Sequence, residues 1–81
     1  MKIDEARNIS LMDLPAGSAG KVVSVRGDNA ITRRLMEMGV IPGVAVRMVK
    51  AAPFGDPVEV RVRGYSLALR KNEASAVDIA V

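Results

Sequence analysis

Hydrophobic and polar residues along the chain alternate in two different rhythms. "KVVSVRG" is short and β-branched and predicts a first strand ending at Gly27. "DNAITRRLMEMG" then changes period: Ile31, Leu35 and Met38 recur at i, i+4 and i+7, one face of a helix of about ten residues. Asp28 or Asn29 is suited to cap its start, and Gly39 stands where such a helix stops. A helix this short is marginal alone in water, so it must dock on a sheet. Strand rhythm returns in "GVAVRMVK", where Val44, Val46 and Met48 alternate with Ala45, Arg47 and Val49. In "PVEVRVRGYSLALR" the residues Val58, Val60 and Val62 face inward, with Glu59, Arg61 and Arg63 outward. Arg63-Gly64 reads as a tight turn, after which Tyr65, Leu67 and Leu69 continue the inward face. "LRKNEAS" is a polar turn or single helical turn, and "AVDIAV" closes with Val77, Ile79 and Val81 pointing in.

Before these elements, residues 1–10 are polar and aperiodic and are expected to be a flexible arm, leaving residues 11–81 as the folded domain. Leu11 and Leu14 are expected to cap the core, ahead of a turn region marked by Pro15, Gly17 and Gly20. Five to six short strands, one helix after the first of them and glycine-rich turns suggest a mainly β fold, a small closed barrel. Closure removes the exposed edges that valine-rich strands otherwise present. Gly39, Pro42, Gly43, Gly55 and Gly64 are the expected structural turns.

Composition narrows the chemistry. With 81 residues the chain makes one domain, near the lower end of what folds unaided. It has no cysteine and no histidine, so disulfides, the usual zinc sites and imidazole or thiol catalysis are excluded. No nucleotide-cradling glycine pattern is present, no cofactor is expected, and no catalytic residue is assigned. Asp56 and Glu59, two carboxylates beside a turn, are a weak signal for a metal, and no metal site is assigned. No stretch approaches the ~20 apolar residues of a membrane helix. The charged start "MKIDEARNIS" has no apolar leader, and a cytoplasmic protein without membrane insertion is expected.

Net charge is +3, and residues 47–71 hold six basic side chains against two acidic ones. Arg47, Arg61 and Arg63 could meet an anionic partner, but a solvated sheet face is the more ordinary reading. Phe54 and Tyr65 are the sole aromatics, too few for the stacking platforms of single-stranded nucleic-acid sites. Nucleic acid is therefore disfavoured, and a monomer or weak oligomer is expected. On the helix, Arg33 and Glu37 are spaced for an i,i+4 contact, and Met36 lies off the buried stripe.

At "RRLMEMGVIPGVAV" the sequence resembles a known family. Arg34-Leu35, Glu37, Gly39, Pro42-Gly43 and Val46 are similar to the central signature of FeoA proteins, accessory proteins of bacterial ferrous iron transport. The likeness begins at "SLMDLPAG" and continues through "APFGDPVEVRVRG", "LALR", Glu73-Ala74 and "VDIAV", about residues 10–81. It implies an SH3-like barrel and a cytoplasmic role beside FeoB, a membrane iron transporter with a GTP-binding domain. A related barrel ends the metal-dependent repressors of the diphtheria-toxin-repressor type, but nothing here resembles their helix-turn-helix. In this frame the expected function is regulation or assembly of FeoB by protein–protein contact. The expected docking groove lies between the helix and the connection at residues 51–57, with Arg34, Leu35, Met38, Pro53, Phe54 and Pro57 as contacts. For Leu35 and Met38, packing of the helix on the barrel is the competing reading. A nucleic-acid-binding barrel and a carboxylate-based metal sensor are the alternatives.

Overall fold

The computed structural model describes residues 8–81. Six strands form one antiparallel sheet: β1 (Asn8–Ser10), β2 (Ala19–Val25), β3 (Ala45–Ala51), β4 (Val58–Val62), β5 (Tyr65–Leu69) and β6 (Val77–Ala80). Their order across the sheet is β1-β6-β2-β3-β4-β5. Helix α1 (Asn29–Glu37) joins β2 to β3, and the short α2 (Lys71–Ser75) joins β5 to β6. Single 3-10 turns follow β1, at Leu11–Asp13, and β3, at Pro53–Gly55.

Alternation accounts for the core. Val46 and Met48 of β3, all three valines of β4, Leu69 of β5 and Val77 and Ile79 of β6 are buried. Leu35 arrives from α1, and Leu11 and Leu14 close one end as expected. Burying each such aliphatic side chain favours the fold by about 1.5–3 kcal/mol. α1 is bounded as its sequence predicts. Asp28 accepts the Ile31 N–H at 2.9 Å, and Gly39 follows the helix in the left-handed region at φ +91°. β5 runs into α2, and α2 packs on the 3-10 turn that follows β1. Helix and turn thus bring together the segments that follow the two end strands, β5 and β1.

The mainly β architecture is the expected one, with several differences of detail, the first being that the sheet does not close by pairing, since β1 and β5 stand at its two ends among the described residues. Asn8–Ser10 is not part of an arm but pairs with β6, Ile9 opposite Ile79. The rest of the expected arm lies outside the described residues. Because β1 precedes "KVVSV", α1 follows the second strand, and a second helix forms at residues 71–75. Gly20 belongs to β2 and not to a turn. Tyr65 shares the inward face by register with Val62, yet it lies at the open end of the edge strand and is exposed. Val81 falls one residue past β6 and is also exposed. Arg33 and Glu37 form no ion pair. Instead they line a shallow depression with the exposed Met36.

One polar cluster ties β2 to β6. Arg26 donates from Nε and Nη2 to the two oxygens of Asp78, both at 2.9 Å, and Ser24 Oγ donates to the same carboxylate at 2.8 Å. The hydrogen bond from Arg26, then that from Ser24, holds the Asp78 carboxyl below its ordinary value of 3.8. A carboxyl depressed in the folded state adds stability above its ordinary pKa, and that stability is lost as pH falls through the lowered value. Asp78→Asn is therefore expected to be less stable than wild type at pH 7, with the gap narrowing below about pH 4. Urea titrations at pH 7 and pH 3 check this, and an equal gap at both would contradict it.

Candidate functional site

The connection between β3 and β4 is the least conventional piece of backbone. Its neck is closed by the Ala52 N–H donating to the Pro57 carbonyl at 2.9 Å. Pro53 starts the 3-10 turn, consistent with a ring that fixes φ and needs no donor. Phe54 follows at φ +70°, ψ 9°, in the left-handed region that costs a non-glycine residue about 1–2 kcal/mol. Its ring receives no packing in return, because Phe54 is 96% exposed. An aromatic held both strained and in water is a feature that function explains better than folding does. Asp56 fixes the far side of the loop, accepting the Lys71 N–H at the start of α2 at 3.0 Å.

Beside this loop lies an open, mainly apolar groove of about 520 Å³. Pro53 and Pro57 of the loop line it together with Leu67 and Ala68 of β5. Lys50 and Glu59 also line it, their charged ends 4.0 Å apart. Two prolines and a hydrogen-bonded neck keep the loop wall stiff, which lowers the ordering cost of a contact.

Three of the six expected contacts therefore gather here: Pro53 and Pro57 line the groove, and Phe54 projects from the loop next to it. The other three do not. Leu35 is 0% exposed and belongs to the core, and Met38 is a partly buried residue packed against it. Arg34 is engaged within the molecule, its Nε donating to Glu73 Oε2 at 2.7 Å. The groove is walled by β5 and not by α1, because the β4–β5 hairpin places Leu67 opposite Val60 and Ala68 opposite Glu59. Lys50, Leu67 and Ala68 were not among the expected residues. Counting back from the two-residue turn at Arg63-Gly64 would have found the two on β5, since that turn sets the register.

On the outer face Arg47 stands opposite Arg61, and Arg47 Nη1 donates to the Gly17 carbonyl at 2.7 Å. No cluster of three carboxylates, the donor type left in a chain without His or Cys, forms among the described residues.

The FeoA domain matches residues 9–81. The Fe(2+) transport protein A/Fe(2+) transporter FeoB fusion protein of Porphyromonas gingivalis is 32% identical over 69 residues, covering 85% of this chain and 8% of the fusion protein. The chain thus spans a small fraction of that relative's length. The solution structure of the FeoA protein from Chlorobium tepidum is similar with TM-score 0.83 and 37% identity, over 90% of this chain and 70% of that one. FeoA of Stenotrophomonas maltophilia, solved with zinc and described as an SH3 domain protein, is 39% identical with TM-score 0.77, over 88% of each chain. A manganese-dependent transcriptional repressor has TM-score 0.86 at 16% identity, over 98% of this chain and 44% of that one, a likeness of fold alone.

Proposed function

The chain belongs to the FeoA domain family, and from that premise we propose that it is a cytoplasmic accessory module that docks on an FeoB-type ferrous iron transporter. The observation that carries this reading is the fusion relative, in which a segment like this chain is covalently part of the transporter. Fusion raises the effective concentration of two modules for each other, an arrangement suited to parts that work in contact. The site supports the same reading. It supplies apolar surface, a stiff loop and an exposed aromatic, which are the means of recognition and not of bond chemistry. Phe54 acts as the anchor, and the groove beside it receives a side chain of the transporter.

A binding titration against the transporter's cytoplasmic domain tests this. Phe54→Ala leaves the core untouched and keeps a Cβ at the same φ, so stability is expected to stay within about 0.5 kcal/mol of wild type. Its affinity is expected to fall at least about tenfold, the loss of an interface hot spot. Absence of binding by the wild-type chain in every nucleotide state of the transporter domain would overturn the docking reading. Equal binding by both chains would remove Phe54 from it.

A further inference from the structure

Among the described residues, no strand pairs with the outer edge of β5. β5 ends the strand order, and its only extended contact is with β4. The β4–β5 turn has Arg63 at φ +54° and Gly64 at φ +84°, two positive values in succession, as a type I′ hairpin requires. In such a hairpin the flanking pair, Val62 and Tyr65, exchanges hydrogen bonds, and bonded pairs alternate from there. Tyr65, Leu67 and Leu69 thus bond to β4, while the N–H and C=O groups of Ser66 and Ala68 point away from the sheet. Both residues are exposed. Neither makes a backbone hydrogen bond beyond the sheet among the described residues.

Proteins usually protect such an edge with charge, proline or a bulge. The strand itself, "YSLAL", carries neither charge nor proline, and its pairing with β4 runs without a register shift. Charge stands instead around it, with Arg63 before one end, Arg70 and Lys71 after the other, and Arg61 opposite Ser66. None of these four side chains is in an ion pair among the described residues.

We propose that β5 accepts an added strand: an extended polypeptide segment, apolar in its middle and acidic at its ends. Main-chain hydrogen bonds form at Ser66 and Ala68, the acidic ends meet the flanking cations, and one apolar side chain seats in the groove between Leu67 and the two prolines. A second copy of this chain is the poorer occupant. Antiparallel pairing of two β5 edges about Leu67 would set Arg63 of one against Arg70 and Lys71 of the other. The inference rests on the docking reading and names the chemistry of the docked segment.

The test is an amide NMR titration with a seven-residue synthetic peptide of alternating valine and threonine between glutamate ends, and with its lysine-ended counterpart. Ala68→Pro removes one outward N–H and spares the bonds to β4. The acidic-ended peptide is expected to shift the Ser66 and Ala68 amides, to bind more weakly as salt rises, and to lose at least tenfold in affinity on Ala68→Pro. The lysine-ended peptide is expected to bind at least tenfold more weakly than the acidic one. Should Ala68→Pro lose its spectral dispersion, Arg63→Asp with Lys71→Glu leaves the ladder intact and is expected to reverse the preference between the two peptides. Equal binding by Ala68→Pro, or of both peptides, overturns the inference. So does a concentration-dependent dimer abolished by Ala68→Pro, which would identify a second copy as the occupant. With the transporter's cytoplasmic domain as probe, equal binding by wild type and Ala68→Pro defeats the added strand alone, and no binding by wild type defeats docking itself.

Discussion

Replacing Gly20 by alanine is expected to destabilise the domain by about 2–3 kcal/mol, near the top of the range for overpacking a core. Composition alone suggests the opposite sign, since glycine inside a strand is worse than alanine by roughly 0.5–1 kcal/mol. The difference lies where β2 crosses β6. A Cβ on Gly20 would stand well inside contact distance of Ile79 Cγ2, 2.8 Å from the Ala80 carbonyl oxygen and 3.2 Å from Val81 Cγ1. Ile79 is fully buried and branched at Cβ, so its methyl has no free rotamer to retreat into. The Ala80 carbonyl is held by the ladder between Lys21 and Ala80. The two strands must therefore separate, loosening the pairing that joins the β1–β6 pair to the rest of the sheet. For a domain of this size about 2–3 kcal/mol lowers the melting temperature by roughly 10–20 °C. Urea unfolding of wild type and Gly20→Ala measures it, and an unchanged midpoint would mean that the crossing is wider than described.

The second large effect concerns Arg34 and Glu73. Glu73 is a buried carboxylate, 5% exposed, with both oxygens occupied. Oε1 accepts the Arg70 N–H at 2.9 Å, capping α2, and Oε2 accepts from Arg34 Nε at 2.7 Å, joining α2 to α1. Arg34→Met keeps much of the aliphatic stem but strips the charge partner from a carboxylate that water reaches poorly. Because the Arg34 side chain is 60% exposed, water can enter beside it, and a cost of about 2 kcal/mol is expected. Glu73→Gln is expected to cost less, about 1 kcal/mol, since an exposed guanidinium rehydrates easily. The double variant is expected to fall short of the sum by about 1 kcal/mol, the signature of a direct interaction. Additive single effects would deny the pair. Binding to the transporter domain, measured well below melting, is expected to change less than about twofold in Arg34→Met, because Arg34 does not line the groove beside Phe54.

That arginine shows where a sequence becomes hard to read. "RRLMEMG" announces a helix and its buried Leu35, because periodicity is a local property of the chain. Whether Arg34 meets solvent, a partner or Glu73 depends on a contact across 39 positions, which local spacing cannot express. The same division runs through the candidate site. Pro53, Phe54 and Pro57 were legible as a stiff loop with an unexplained aromatic. That Phe54 faces outward, with Leu67 and Ala68 across the groove, needed the hairpin register and the bend of β3 into the loop.

Five of the six strands and most of their inward residues, the limits of α1, the Arg63-Gly64 turn, the lack of His and Cys and the family resemblance all came from the sequence itself. Each depends on residue type or on spacings within one element, where side-chain period and backbone sterics act. The tertiary structure alone decided that Asn8–Ser10 pairs with β6, that Gly20 has no room for a side chain, that Tyr65 and Val81 end up in water, and that β5 has an unpaired edge among the described residues. These are outcomes of which distant strands come together and where the core ends, and a strand's own alternation reads the same at the centre of a sheet as at its edge.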